Sequence, residues 1–190
     1  REAVVEIHFP APVILFTRTL LISITGADFT PSINGERVPV NQCILVHKHD
    51  TLQFHRPVSG ARAYLAVQGG FALLPWLESR STSLKAGAGG YEGRNLRKDD
   101  ELICNTDNSY AHLQQGKDFR VLPWTIEYQP ADPDPAIGIL PGREWDRLTE
   151  QAKERIFTTP FLVTRQADRM GYHLGHEPLE VLSGEELVSS

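Results

Sequence analysis

Short runs of β-branched and apolar residues recur along most of the chain, and they constrain the fold more than any other feature. The first three, VVEIHF, PVILFT and LLISITG, partly alternate between apolar and polar residues, as half-buried strands do. Further runs follow at intervals of about 8–12 residues, with Gly- or Pro-rich turns between them. This spacing predicts a mainly β fold, either a barrel or a sandwich.

Several later segments give more specific predictions. SINGERVPV carries an Asn-Gly pair between strand-like flanks, which predicts a hairpin. CILVHKHDTLQFH predicts a second hairpin with its turn near HKHD, and ARAYLAVQGGF predicts a strand buried on both faces. RNLRKDDELICN predicts a strand, a turn and a strand. The proline of DFRVLPWTIEY predicts an edge strand or a bulge, because proline cannot donate to a sheet ladder.

The last third of the chain has a different character. QPADPDPAIGILPG contains four prolines and predicts a stiff linker. REWDRLTEQAKERIF predicts the one helix, with Trp145, Leu148, Ala152 and Ile156 at helical spacing, and FLVTRQADRMGYHLG predicts a strand, a turn and a strand. We therefore expect a first β-barrel subdomain at 1–128, a linker at 129–143, and a second subdomain starting at 144–190.

The ends of the chain bear on the extent of its subdomains, and its composition excludes several classes of function. The sequence starts at Arg1 without Met and ends in ELVSS, so we expect both subdomains to be truncated at these ends. The net charge of −5 and pI of about 5.8 argue against nucleic-acid binding and against anionic membranes. No apolar run reaches the roughly 20 residues of a membrane span, and we expect no signal peptide. The two distant cysteines predict buried, inert thiols and a cytoplasmic protein.

Phosphate and metal sites have weak signals. GAGGYEG matches neither GxGxxG nor GxxxxGK[ST], and the sequence after it does not predict a helix whose N-terminus could meet a phosphate. His47 and His49 lie at a predicted turn, where solvated side chains are the simple interpretation. A zinc site needs a third protein ligand, and His173 and His176 are remote in sequence. We predict no metal site.

Hydroxyl and guanidinium groups are concentrated in the long Gly-rich segment after the strand AYLAV, which we expect to be a flexible loop. Ser81 and Thr82 lie outside any GxSxG elbow, and no His is close in sequence to serve as their base. Arg80 and Arg94 flank the Gly-rich stretch, and Arg169 lies in a later turn. Such arginines could form an anion pocket with free backbone N–H groups, or each could be a surface residue paired with a nearby acid.

Four motifs in register resemble one known family. The segments LLISITGADFTPSINGERVPVN, GARAYLAVQGGF, WLESRSTSLKAGAGGYEGRNLRKDDEL and FLVTRQADRMGYHLG resemble allophanate hydrolase subunit 2, also called the biotin-dependent carboxyltransferase family or the C-type subunit of 5-oxoprolinase. The resemblance extends from about residue 5 to residue 189. Two family motifs, Q-D-x-G-R before these segments and T-x-G-G-Y after them, are missing from the sequence.

The resemblance implies a fold, partners and cofactors. The fold would be a cyclophilin-like β-barrel, with the helix starting a second, incomplete barrel-like half. The protein would belong to an ATP-dependent 5-oxoprolinase that opens 5-oxoproline to glutamate. Its partners would be the related B-type subunit, which is similar to allophanate hydrolase subunit 1, and a third subunit. ATP could be bound by a partner. The alternatives are a carboxyltransferase that uses carboxybiotin, as in urea carboxylase, and a non-catalytic module that antagonises a kinase inhibitor.

The resemblance also implies site residues, in which arginines bind the substrate carboxylate and hydroxyl groups stabilise an oxyanion. Three sequence positions depart from the family pattern: Glu78 and Asp99 each replace a Gly, and His173 replaces an Arg. The implied catalytic residues are Asp168, Ser81 and Thr82, and the implied substrate-binding residues are Arg80, Arg94, Arg169, Gly89, Gly90 and Tyr172.

Overall fold

The computed structural model describes residues 2–105, 118–126, 136–167, 171–175 and 177–182. Contacts within the chain divide it into two compact units, Arg1–Gln129 and Pro130–Ser190. Most of the described residues of the first unit belong to strands and the turns between them. In the described part of the second unit there are one short helix and two short strands. The prediction of a mainly β chain is confirmed.

The strands of the first unit form two antiparallel sheets. One sheet has the strand order β1-β8-β3-β6-β9, and the other has the order β2-β7-β4-β5. Neither sheet closes on itself within the described residues, so the cyclophilin-like barrel stays a prediction. The strands are β1 (Val5–Ile7), β2 (Ile14–Leu15), β3 (Leu20–Asp28), β4 (Pro31–Ile33), β5 (Glu36–Arg37), β6 (Gln42–Val46), β7 (Thr51–Phe54), β8 (Ser59–Val67) and β9 (Arg120–Thr125).

The core lies on one face of the long central strands. Buried residues alternate with half-buried ones from Leu20 to Thr25 in β3 and from Ala63 to Val67 in β8, and the registers place Ile22 opposite Val67 and Ile24 opposite Leu65. Between these, Tyr64 and Ala66 of β8 are only half-buried. The prediction that β8 is buried on both faces is therefore wrong, because only its inward face packs against the core. The strand β8 has few polar residues for a strand with one solvent-exposed face, and for this reason the sequence predicted burial on both faces.

Two turn and strand predictions are confirmed. Asn34 and Gly35 have φ values of 53° and 87°, and they connect β4 to β5 as a tight hairpin. Pro123 lies in β9, which is the outermost strand of its sheet. The pairing of β9 with β6 shifts in register between Gln42 and Ile44, so the edge position and the irregularity expected of a proline are both present.

The predicted hairpin around HKHD is wrong. The turn exists and His49 has a φ of 78°, but β6 pairs with β3 and β9, whereas β7 pairs with β2 and β4. The turn thus carries the chain from one sheet to the other. Buried Asp50 stabilises this corner by accepting hydrogen bonds from the His47 N–H and from the Asn34 side-chain amide, both at 2.7 Å.

The second unit contains α1 (Glu150–Thr158), β10 (Leu162–Val163) and β11 (Leu174–Gly175). The helix is shorter than predicted, because Thr149 is its N-cap and its hydroxyl accepts a hydrogen bond from the Ala152 N–H. Residues 145–147 form a separate 3₁₀ turn before it. The strand, turn and strand predicted by FLVTRQADRMGYHLG are confirmed in the described part, where β10 and β11 pair antiparallel. Among the described residues, no helix has the length and apolar character needed to cross a membrane.

Candidate functional site

The candidate site is built on one long loop, residues 72–103, which we call the glycine loop. It leaves the five-stranded sheet after β8 and returns beside its own start, since Phe71 and Cys104 form an antiparallel bridge. Backbone hydrogen bonds close this base, from Ala72 N–H to Ile103 O at 2.8 Å and from Asn105 N–H to Gly70 O at 2.9 Å. The closed base fixes where the loop begins and ends.

The glycine loop is a series of hydrogen-bonded turns. Trp76 and Ser79 exchange two backbone hydrogen bonds of 2.8 and 3.0 Å, and the two residues between them have positive φ, as in a type I′ turn. Ser83 and Ala88 exchange a second pair of 2.8 and 3.2 Å. The sequence suggested that this segment is a flexible loop. These hydrogen bonds instead give it a defined backbone path.

Two glycines bring separate turns of the loop into contact. Gly89 and Gly90 have φ values of 70° and 51°, and a Cβ on Gly89 would lie 2.5 Å from Ser81 O. A Cβ on Gly90 would lie 2.8 Å from Thr82 N and closer still to Thr82 Oγ1. The turn containing Gly89 and Gly90 therefore packs on the Ser81–Thr82 backbone at a distance that only glycine allows. Two of the predicted site motifs are in this way brought together.

The hydroxyl and guanidinium groups of the first motif lie at the surface of the loop. Ser81 is exposed, whereas Thr82 and Arg80 are half-buried. The Nε of Arg80 donates to Leu73 O at 3.3 Å, and the Ser81 N–H donates to Ser79 Oγ at 3.1 Å. These bonds orient the Arg80 side chain and the Ser79–Ser81 backbone, and they leave the Ser81 side chain accessible to a ligand.

Arg94, the second predicted arginine of this loop, is bound by acceptors of the loop itself. Its Nε and Nη2 lie 3.0 and 2.8 Å from Glu92 Oε2. Nη1 donates to Asn95 O at 3.0 Å and to Asp100 Oδ2 at 2.7 Å, and Nη2 donates to Asp100 Oδ1 at 3.0 Å. The guanidinium has five N–H donors; four of them make hydrogen bonds, and Nη2 also lies at ion-pair distance from Glu92 Oε2. The Tyr91 ring lies 5.0 Å from the guanidinium carbon.

Asp100 is the partner that the sequence analysis did not single out. The hydrogen bonds from Arg94, followed by the one from the Arg97 N–H at 2.7 Å, lower the pKa of Asp100 from 3.8 to about 2. The same pairing raises the pKa of Arg94. The R-x-L-x-x-x-D spacing of this segment was the available signal. The turn predicted within RNLRKDDELICN is confirmed at residues 98–99, where Asp100 organises it, but the two flanking strands are wrong, since residues 94–105 contain no strand and only an isolated bridge at Cys104.

Backbone conformation explains why the family pattern has glycine at two positions where this chain has another residue. Glu78 has a φ of 61° and Asp99 has a φ of 71°, and both stand where the resembled pattern has glycine. Left-handed backbone is strained for residues with a Cβ. Glycine is thus the residue that adopts the backbone conformation of these two turns without strain, and Glu78 and Asp99 adopt it with some strain.

We expect the Glu78→Gly variant to be more stable than the wild type by about 0.5–1 kcal/mol, since it removes left-handed strain but adds unfolded-state entropy. Chemical denaturation measures the difference. Lys85→Gly is the control, because Lys85 lies exposed in the same loop without a positive φ and should lose about 0.5–1 kcal/mol. A loss of stability in Glu78→Gly would contradict this explanation.

The remaining predicted site residues belong to the second unit. Asp168 and Arg169 lie outside the described residues, so their roles stay predictions. Tyr172 is 77% exposed. His173 Nδ1 lies 3.1 Å from Thr164 Oγ1, and the Thr164 N–H donates to His173 O at 2.8 Å, so His173 stabilises the pairing beside β10 and β11.

Metal ligands and reactive thiols find little support. In the part of the chain that the structure describes, no three His, Cys, Asp or Glu side chains cluster as a metal site requires. His49 is exposed, as predicted for a turn, but His47 is buried, so the prediction of a solvated His47 is wrong. Cys43 and Cys104 are free and half-buried, and burial raises the pKa of the Cys104 thiol, which disfavours the reactive thiolate.

Comparison with known proteins places the chain among enzyme subunits and domains. A family model described as the carboxyltransferase domain, subdomain A and B, matches residues 1–190. The chain is 30% identical over 167 residues to the C-type subunit of the 5-oxoprolinase of Escherichia coli (strain K12), covering 88% of this chain and 50% of that protein. It is 28% identical over 179 residues to the urea amidolyase of Saccharomyces cerevisiae, covering 92% of this chain and 10% of that protein.

A solved structure supports the fold. The crystal structure of the K. lactis urea amidolyase matches 95% of this chain and 11% of that chain with a TM-score of 0.75 at 24% sequence identity. At this identity the match supports the fold alone. The chain spans about half the length of the 5-oxoprolinase relative and about a tenth of the urea amidolyase relative.

Proposed function

Because the chain belongs to the family of carboxyltransferase domains with subdomains A and B, we propose that it acts as part of an ATP-dependent 5-oxoprolinase. In this role it opens the 5-oxoproline ring to glutamate together with the related B-type subunit and a third subunit. The observation that carries the proposal is the 30% identity to the C-type subunit of a 5-oxoprolinase over 88% of this chain. The activity and the partners are assigned to the whole assembly, of which this chain is one part.

The glycine loop supplies the groups that this chemistry needs. The Arg80 guanidinium binds the substrate carboxylate, for which its paired N–H donors are suited. The exposed Ser81 hydroxyl and the half-buried Thr82 hydroxyl donate hydrogen bonds to the oxygen on which negative charge develops when the ring amide is attacked. In the proposal Asp168 acts as a base or orients Arg169, and Tyr172 contributes to substrate binding.

The glycine loop has no helix of the kind that commonly receives a phosphate of ATP. Residues 83–94 form turns, and residues 95–105 contain no helix whose N-terminus could receive a phosphate. In the proposal the nucleotide is bound by one of the partners, and no step of its chemistry is assigned to the residues described in this chain.

A carboxyltransferase acting with carboxybiotin is the second candidate. The observation that favours it is the 28% identity to urea amidolyase over 92% of this chain. The same Arg80, Ser81 and Thr82 groups would then meet a carboxyl group carried on biotin. This candidate predicts a functional dependence on a biotin carboxylase, whereas the first predicts a dependence on the 5-oxoprolinase partners.

Reconstitution tests the proposal and the role of Arg80. The chain is mixed with its B-type partner and the third partner, and the ATP-dependent loss of 5-oxoproline is followed. We expect the KM for 5-oxoproline to rise about 30-fold in Arg80→Ala, the effect of losing a hydrogen bond to a charged group of about 2 kcal/mol. Lys85→Ala removes an exposed cation of the same loop and should leave the KM unchanged.

Two outcomes would contradict the proposal in different ways. A KM for 5-oxoproline in Arg80→Ala equal to that of the wild type would show that Arg80 does not bind the substrate. Absence of 5-oxoproline turnover, with carboxyl transfer from carboxybiotin in its place, would favour the second candidate.

A further inference from the structure

We propose that Arg94 and Asp100 form a clasp that positions the Ser81–Thr82 segment, and that Arg94 does not itself bind the substrate. The ligand-related part of this proposal rests on the proposed function, since it takes the Ser81 and Thr82 hydroxyls as substrate contacts. The ordering of the loop by the clasp is independent of that function. The contacts of Arg94 carry the argument.

The first step is the set of acceptors around Arg94. Four of its N–H donors bond to two oxygens of Asp100, one oxygen of Glu92 and the carbonyl of Asn95, and Nη2 also lies 2.8 Å from the same Glu92 oxygen. A substrate carboxylate at Arg94 would have to displace one of these acceptors and lie beside two carboxylates, which repel it. A guanidinium held in this way is suited to fixing the backbone around it.

The second step is the position of Asp100. Its side chain is 15% exposed and accepts from both Nη atoms of Arg94 and from the Arg97 N–H. Bidentate pairs of this kind fix orientation as well as distance. Asp100 therefore ties the turn at residues 97–100 to the Gly-rich turn that ends at Arg94.

The third step connects the clasp to the hydroxyl groups. The Arg94 N–H donates to Tyr91 O at 3.2 Å, and the Gly93 N–H donates to Gly89 O at 2.9 Å. Gly89 then packs directly against the Ser81 carbonyl oxygen. A continuous set of backbone contacts thus leads from the clasp to the Ser81–Thr82 segment, so loosening one end is expected to loosen the other.

The pKa of Asp100 sets the pH range of the clasp. Because its pKa in the folded chain, about 2, lies below the ordinary value of 3.8, the stabilisation is present above about pH 4 and is lost as the pH falls towards 2. The Asp100→Asn variant removes the charge at neutral pH without changing the size of the side chain.

The test compares wild type, Asp100→Asn, Arg94→Lys and the double variant. Amide hydrogen exchange is measured along the chain, and the Kd of 5-oxoproline is measured by NMR titration at a temperature where all variants are folded. We expect Asp100→Asn to speed exchange at residues 79–94 about 10-fold and to weaken 5-oxoproline binding by a similar factor. Exchange in β3 and β8 should stay unchanged, and Arg94→Lys should add little in the Asp100→Asn background. Asp99→Asn, the same charge change one residue away, is the control.

Two results would overturn the clasp. If amide exchange at residues 79–94 and the affinity for 5-oxoproline in Asp100→Asn equal those of the wild type, the Arg94–Asp100 pair does not order this segment. Weaker binding in Arg94→Lys with unchanged exchange at residues 79–94 would assign Arg94 to the ligand. If the wild-type chain binds no 5-oxoproline, the proposed function is in question, but the exchange profiles of the variants still decide whether the clasp orders the Ser81–Thr82 segment.

Discussion

Replacement of Gly90 by alanine is expected to lower the free energy of unfolding by about 3 kcal/mol, the sum of a left-handed backbone penalty and of overpacking. Gly90 has a φ of 51°, and an added Cβ would collide with Thr82 N and Thr82 Oγ1. Relief of this collision must move the turn away from Thr82. We therefore also expect kcat/KM in the reconstituted assembly to fall by a factor on the order of 100, as is typical when a reacting geometry shifts by about 1 Å.

Gly87→Ala is the matched control for this prediction. Gly87 lies in the same loop with a φ of 60°, but a Cβ built on it has no heavy atom within 4 Å. It should therefore show only the backbone penalty of about 1 kcal/mol. The free energies of unfolding of both variants, measured with denaturant, separate the backbone penalty that they share from the steric collision expected only at Gly90. Equal losses in the two would mean that Gly90 does not pack on Thr82 in solution.

The second large effect is expected for Phe29→Ala, which should lose about 4 kcal/mol of stability and on the order of 15 °C in Tm. Phe29 is 1% exposed and follows β3 of the five-stranded sheet. Its ring centroid lies 6.5 Å from that of Phe54 in β7 of the four-stranded sheet and 5.7 Å from that of Phe9. Truncation leaves a cavity between elements of both sheets, which the surrounding residues can fill only in part.

Thermal unfolding followed by circular dichroism measures this loss. Val13→Ala serves as the control, because Val13 is 61% exposed and its truncation should cost less than about 0.5 kcal/mol. A loss below about 1.5 kcal/mol in Phe29→Ala would indicate that the ring is not enclosed between the sheets as described.

Local signals predicted the fold where the residues themselves determine the backbone. Asn34-Gly35 specified a tight hairpin through its left-handed conformations, and Pro123 specified an edge position because it lacks an N–H. Such local signals could not predict which of the two sheets a strand joins. The turn at His49 looks the same in sequence whether the next strand returns to the same sheet or enters another one. The observed arrangement is stabilised by a hydrogen bond to buried Asp50 from Asn34, which is distant in sequence.

The candidate site was predicted in part. The composition of the segment placed the motifs around Ser81 and Gly90 in one loop, and the structure packs them together. For Arg94 the sequence left open an anion pocket and pairing with a nearby acid, because an arginine beside glycines looks the same whether it faces an anion or Asp100. The reason for the two glycines of the family pattern that Glu78 and Asp99 replace was not visible in the sequence, whereas the φ values of Glu78 and Asp99 give a conformational one. Convergence of Arg80 with Arg169 stays a prediction.

The most direct test of the whole account is a crystal structure of the chain with its B-type partner, grown with 5-oxoproline. The account predicts the 5-oxoproline carboxylate within hydrogen-bonding distance of Arg80 and the ring carbonyl oxygen beside Ser81 and Thr82, with Arg94 still bound to Asp100. A ligand bound away from residues 79–90, with Arg80 pointing into solvent, would contradict it.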